Sequence, residues 1–270
     1  MEKKIIKKVY DFNVRRKGLG TGDIRLAFFS DLHNCQSGRE NQELFAILDG
    51  MHPDLVLAGG DIPVAKPGMS LEPALSFLER LSREYPVCYA EGNHEYRMKI
   101  YPDVYGDMGE RYFQALRALP LTLLENQDVR MRVNGIPLRI CGYEMDRTYY
   151  ERFSRRGLPM GEISRHFGKP SEEEYTILLA HHPGYRETYL QWGADLTLSG
   201  HYHGGVMRLG KHRGVITPDF RLFSDKCYGA YERGGKIALV TSGAGEHTEP
   251  LRLFNPREVV EINLSFSLQE

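Results

Sequence analysis

Seven side chains of metal-ligating type stand in five short motifs, each directly after an apolar run. They are Asp31-Leu32-His33, Gly60-Asp61, Gly92-Asn93-His94-Glu95, His181-His182-Pro183 and Gly200-His201-Tyr202-His203. Carboxylate oxygens, one amide oxygen and several imidazoles suit transition-metal ions: Mn, Fe or Zn first, with Co and Ni also admitted. A single ion rarely needs so many ligands, whereas two adjacent ions sharing a carboxylate do. Ions about 3.5–4 Å apart can clamp both oxygens of an in-line displacement at phosphorus.

Each motif alone is weak. At a strand end, residues i and i+2 point to the same side, so Asp31 and His33 are expected to reach one ion by that alternation. Gly-Asp is ordinarily a turn. Asn93, after a buried strand, supplies a neutral oxygen. Gly200 to Gly205 is the strongest single motif, because two imidazoles flanked by glycines let backbone approach a ligand closely. A structural histidine explains any one of these. That explanation would have to hold five times, always at the same kind of place.

The elements that position them read from the apolar runs. Arg25–Phe29, Leu55–Ala58, Val87–Ala90, Thr176–Ala180 and Leu196–Ser199 are short, apolar and bounded by polar residues or Gly, as strands buried on both faces are. Glu43–Met51 and Glu72–Leu81 carry helical stripes (Leu44, Ile47, Leu48; Leu75, Leu78, Leu81). Strand alternating with helix predicts a largely parallel sheet, with ligands beyond the carboxyl ends of its strands. In the middle, Val129 to Ile140 alternates around Asn134-Gly135, a hairpin with a type I′ turn. Pro137 predicts an edge position for its second strand. Lys236–Thr241 and Glu258–Leu264 read as closing strands. The expected fold is therefore α/β: two packed mixed sheets with helices outside, a four-layer α-β-β-α sandwich in one domain over 1–270. The polar, Arg-rich segment 143–174 is expected to form a flap or cap over the cleft.

The 270 residues are 41% apolar and 26% charged, with formal net charge −1. This is the composition of a globular chain without the basic excess of a nucleic-acid binder. The basic start lacks the apolar core of a signal peptide, and no run approaches the ~18 apolar residues of a membrane span. The expectation is cytoplasmic. Cys35, Cys88, Cys141 and Cys227 form no CxxC. Cys88 and Cys141 read as buried thiols, and Cys35 as a bystander near the site. The Gly18-x-Gly20-x-Gly22 run precedes a strand, which fails the context a nucleotide loop requires. No G-x-S-x-G elbow is present. The arginines between Arg152 and Arg156 read as a solvated helix face.

In order, D-x-H, G-D, G-N-H-E, H-x-P and G-H-x-H-G-G resemble the calcineurin-like metallophosphoesterase superfamily, from about Arg25 to Leu264. Gly229-Ala230-Tyr231 and Val240-Thr241-Ser242-Gly243-Ala244-Gly245 resemble its bacterial subgroup of small phosphohydrolases, which includes UDP-diacylglucosamine pyrophosphatase-like enzymes. The resemblance implies a two-metal hydrolase of phosphate esters: monoester, diester or pyrophosphate. One ion would take Asp31, His33 and His203, and Asp61 would bridge. The other would take Asp61, Asn93, His181 and His201. His181 is matched because it stands two before Pro183, which leaves His182 facing the cleft or solvent; the two could be exchanged. His94 would be no ligand but would face the substrate. A metal-bridging hydroxide would attack phosphorus, Asn93 and His94 would meet the developing charge, and a protonated His94 would assist the leaving group. The acid that orients this histidine in protein phosphatases is missing after Asp61, so His94 pairs with Asp31, with Glu95 or with neither. The phosphate-gripping arginines of that branch cannot be placed, which argues against a protein phosphatase. A small phosphorylated substrate is expected and nucleic acid is not; a membrane-lipid substrate stays open. The alternatives are a non-catalytic scaffold of the same fold and a nuclease of the same superfamily.

Overall fold

The computed structural model describes residues 4–151, 156–205, 207–209, 213–217, 222–246 and 252–268. The chain opens with β1 (Ile5–Arg15) and β2 (Gly22–Phe29), then α1 (Gln42–Met51), β3 (Leu55–Ala58), α2 (Glu72–Glu84) and β4 (Val87–Ala90). Helices α3 (Asn93–Ile100), α4 (Pro102–Tyr105) and α5 (Met108–Arg117) lead to β5 (Thr122–Leu124). The second half runs through β6 (Gln127–Val133), β7 (Ile136–Tyr143), α6 (Met160–Phe167), β8 (Tyr175–Ala180), α7 (Arg186–Trp192) and β9 (Leu196–Ser199). It ends with β10 (Arg208–Leu209), β11 (Arg213–Ile216), β12 (Leu222–Ser224), β13 (Gly229–Arg233), β14 (Lys236–Val240) and β15 (Arg257–Ser267).

Two six-stranded mixed sheets result, ordered β1-β15-β2-β3-β4-β5 and β13-β14-β9-β8-β7-β6, with β10-β11-β12 as a small third sheet. The pleat divides each strand between two layers. In β2, Leu26 and Phe28 face the opposite sheet, while Ala27 and Phe29 face α1 and α2. Strand β8 alternates in the same way: Ile177 and Leu179 join the inter-sheet core, and Leu178 packs with Tyr189 and Trp192 of α7. Three apolar layers separate four layers of structure, and each Leu or Phe fully buried there contributes about 1.5–3 kcal/mol. Helix α2 shows why the sequence folds this way locally. Pro73 stands in its first turn, Ala74, Phe77, Leu78 and Leu81 form its buried stripe, and Tyr85 before Pro86 is already extended.

Two features differ from the sequence expectation. Strand β7 is internal, flanked by β6 and β8, so Pro137 is not on an edge strand. Asn134 (φ 49°) and Gly135 (φ 82°) form the two-residue turn, which closes on the pair Val133–Ile136. Pro137 then faces Arg132, and pairing to β8 begins only at Leu138, so the missing N–H falls where the ladder has not started. Strand β1 carries no clear apolar signal, yet it pairs along its whole length with β15. It is an edge strand on which Lys7 and Lys8 are exposed while Tyr10, Phe12 and Val14 pack on the inter-sheet core. Among the described residues no helix is long and apolar enough to cross a membrane.

Candidate metal centre

Strands β2, β3 and β4 run parallel in the first sheet, and β8 and β9 run parallel in the second. All five deliver their motifs from carboxyl ends to one rim. The alternation expected for Asp31 and His33 is not what brings them together. Both are left-handed (φ 55° and 50°), as are Asp61 (55°), His201 (64°) and His203 (48°). Such conformations cost about 1–3 kcal/mol each in non-glycine residues and persist only where the surroundings enforce them. Here the enforcement is backbone to backbone: Asp31 N–H donates to Gly60 O (2.9 Å) and His33 N–H to Asp61 O (3.0 Å). The loop after β14 closes the other side, with Ala244 N–H donating to Ser30 O (2.9 Å) and Gly245 N–H to Asp31 O (2.8 Å). Two glycines are needed for the close approach. A Cβ on Gly200 would lie 2.2 Å from Asp31 Oδ2, and one on Gly92 2.2 Å from Asp61 Oδ1.

The side chains converge in two groups, Asp31 with His33 and His203, and Asp61 with His181 and His201; within each, donor atoms lie within 4.8 Å of one another. A third group, His33, Asp61 and His94, overlaps both. His33 Nε2 is 3.8 Å from Asp31 Oδ1 and 3.8 Å from Asp61 Oδ2, and His203 Nε2 is 3.3 Å from Asp31 Oδ1. His181 Nδ1 bonds Gly59 O at 2.7 Å, which turns Nε2 toward Asp61 Oδ2 at 3.2 Å. Both carboxylates are buried. Burial, opposed by the attraction of His181, pushes Asp31 up to about 6. Asp61 is just as buried, yet His181, His94 and His33 around it hold it well below the usual carboxylate range. Although burial opposes its charge, His181 beside these two acids is raised to about 10. Two donor atoms, His181 Nε2 and Asn93 Oδ1, are buried without a hydrogen bond. Hard oxygen and imidazole donors so packed, with two of them unmet, fit a divalent cation.

His182 faces neither cleft nor solvent. It is buried, accepts the Gly184 N–H at Nδ1 (3.0 Å) and packs against the Tyr150, Tyr185 and Tyr202 rings. His94 finds its orienting partner in the backbone: Ala65 N–H donates to Nδ1 (2.8 Å), while Nε2 looks toward Asp61 Oδ2 at 3.9 Å. Glu95 serves a different purpose. Its fully buried carboxylate accepts the N–H groups of Asp61 (2.9 Å), Ile62 (2.9 Å) and Gly92 (3.0 Å), and the Tyr89 hydroxyl (2.5 Å). It thereby ties the β3 and β4 loops together. Burial and the nearby Asp61 raise it to about 7.

Residues 24–205 match the calcineurin-like phosphoesterase family. The chain belongs to that family. It is 28% identical over 250 residues to an uncharacterized metallophosphoesterase of Campylobacter jejuni, covering 90% of this chain and 59% of the relative. It is 31% identical over 217 residues to one of Helicobacter pylori, covering 78% and 51%. The chain thus spans between half and three fifths of the length of these relatives. A solved 5′-nucleotidase precursor of Thermus thermophilus aligns with a TM-score of 0.48 at 14% identity, over 90% of this chain and 54% of that one. Membership in the calcineurin-like phosphoesterases and the Asp/His clusters together point to divalent metal binding at this rim.

The site opens into a cleft of about 900 Å³, lined also by Lys66, Tyr96, Arg97, Arg147, Tyr150 and Glu151. Sequence reasoning assigned no role to Lys66, Arg97, Arg147 or Glu151, which belong to no motif. It also missed Arg252, a buried guanidinium 3.2 Å from His203 Nδ1 that donates to Gly245 O (2.6 Å). Only the four-residue spacing from Asn93 could have drawn attention to Arg97. Cys35 lines the cleft as well, and burial raises its thiol pKa, so it is no ready nucleophile. From the segment expected to cap the cleft, Arg147, Tyr150 and Glu151 reach it, while α6 packs with α7 through Ile163, Phe167 and Trp192. Residues 152–155 of the Arg-rich stretch lie outside the described residues.

Proposed function

We propose that the protein hydrolyses phosphate esters at a two-metal centre. Asp31, His33 and His203 would hold one ion, Asn93, His181 and His201 the other, and Asp61 would bridge. The observation that carries this reading is the pairing of two Asp/His groups around a buried Asp61, beside two buried donors without hydrogen bonds. Divalent ions bound there would lower the pKa of a water ligand and neutralise charge on the phosphoryl oxygens.

The residues have separable tasks. Gly59 O accepts the His181 Nδ1–H, so once the ring is neutral its Nε2 presents a lone pair to the centre. Asp61 Oδ1 accepts the His94 backbone N–H (2.8 Å), which leaves Oδ2 available to a cation. Because Nδ1 of His94 accepts the Ala65 N–H, the proton of the neutral ring sits on Nε2, the nitrogen facing the site. His94 therefore donates a hydrogen bond to a phosphoryl or leaving-group oxygen without first becoming imidazolium. Asn93 Nδ2 supplies a second donor. We expect His94→Ala to keep its metal and to lose about 10²–10⁴-fold in turnover, the size of a general acid–base contribution. Metal content and phosphate release on the same sample check this; unchanged turnover, or lost metal, removes the role.

A further inference from the structure

The cleft holds three cations beyond the metal-type residues: Lys66, Arg97 and Arg147. Arg97 follows Asn93 by four residues on α3 and His94 by three, so the three side chains share one helix face. Its Nε is buried and makes no hydrogen bond, and no ion pair satisfies its guanidinium among the described residues. An unmet buried donor costs about 1–3 kcal/mol, more when charged. Arg147 enters from the 3-10 turn Arg147–Tyr150, where the Asp146 carboxylate accepts the Thr148 N–H (2.9 Å) and hydroxyl (2.6 Å). It lies 5.1 Å from the Tyr101 ring centroid, a contact that orients the cation without neutralising it. Of the cleft carboxylates, Glu246 is engaged elsewhere, 3.7 Å from Arg252 and 3.9 Å from Arg257. Glu151 is exposed and forms no ion pair with either arginine among the described residues.

Resting on the phosphoesterase reading, we propose that Arg97 and Arg147 form a subsite for a second anionic group of the substrate. An α-helix rises about 1.5 Å per residue, so Arg97 is stationed ~5 Å beyond His94 along α3. That is the separation of two groups joined by a few covalent bonds. In that reading Asn93 and His94, with the ions they adjoin, would meet the oxygens of the phosphorus under attack; Arg97 lies a turn farther along. A planar guanidinium fits phosphate or carboxylate with paired hydrogen bonds. The substrate class is a phosphate ester whose leaving group carries a further phosphate or carboxylate close to the ester bond.

The test is calorimetric binding of orthophosphate, pyrophosphate and 3-phosphoglycerate to the metal-loaded protein and to Arg97→Ala, Arg97→Lys and Arg147→Ala. The expected result is a tenfold or greater fall in the pyrophosphate-to-orthophosphate affinity ratio in Arg97→Ala. Arg97→Lys should recover part of it, and the exposed Arg147→Ala, which leaves α3 intact, should show a smaller fall. A parallel fall for 3-phosphoglycerate assigns the subsite to carboxylates as well; a fall confined to pyrophosphate assigns it to phosphates. Unchanged ratios in both alanine variants, or orthophosphate affinity falling in step, overturn the proposal. Failure of the phosphoesterase reading is seen separately, as wild-type protein that releases phosphate from no ester.

Discussion

At the rim, Asp31, Asp61 and four histidines are fixed by backbone hydrogen bonds between loops and by glycines whose Cβ atoms would lie 2.2 Å from a carboxylate. Beside the rim, Arg97, Arg147 and Tyr150 reach into the cleft from one helix and one 3-10 turn, and among the described residues no such backbone clasp holds their side chains. The difference separates two demands. Groups that hold ions need sub-ångström placement, which rigid strand ends and their cross-ties supply. Groups that recognise a substrate need only reach it, and long side chains on connecting segments do so.

That contrast can be broken or sharpened by substitution. Asp61→Asn should have the largest effect: the shape is kept but the shared charge is gone. We expect loss of at least one ion per chain and about 10³-fold or more in phosphate release, read by elemental analysis and assay. Gly200→Ala tests the backbone clasp. Its methyl would collide with Asp31 Oδ2 and Ser30 Oγ, so we expect about 1–3 kcal/mol of lost stability and 10–100-fold weaker metal binding. Thermal unfolding and metal titration measure both; a neutral variant would mean the rim is looser than described. Glu95→Gln tests a residue that touches no ion. It keeps the shape but weakens the acceptor for three amides, and about tenfold weaker metal binding is expected, with the Arg147→Ala control retaining metal.

A graded change, about the size of the Glu95→Gln effect for each pH unit, comes from pH. An ion needs Asp31 deprotonated and His181 neutral. His181, raised to about 10, must release a proton on binding throughout the neutral range, so affinity should rise about tenfold per pH unit between pH 7 and 9. Below about pH 6 Asp31 also competes for protons, and the fall should steepen. Titrations at several pH values check the slope; a flat profile would mean that His181 is not displaced from its proton.

Much of the fold was legible because fully buried strands leave uninterrupted apolar runs, and β3, β4 and β9 begin and end where those runs do. Strand β1 was not, because an edge strand studded with lysine has no such run. The five motifs stood out because chemistry concentrates several donors within a few residues. Their geometry did not: Asp31 and His33 meet through left-handed backbone imposed by distant loops, not through strand alternation. The spacing to Pro183 favoured His181 over His182 but left them exchangeable; a hydrogen bond to Gly59 O in one and from Gly184 N–H in the other separates them. Arg97, Arg147 and Arg252 were invisible because a lone arginine reaches its target through tertiary structure alone.

The most direct test is to strip the protein with chelator, add Mn, Fe or Zn back in steps, and follow bound ions and phosphate release in the same samples. Two ions per chain are expected, with phosphate release appearing only as the second site fills. Full activity in the stripped protein, or a protein that holds no transition ion, would contradict it.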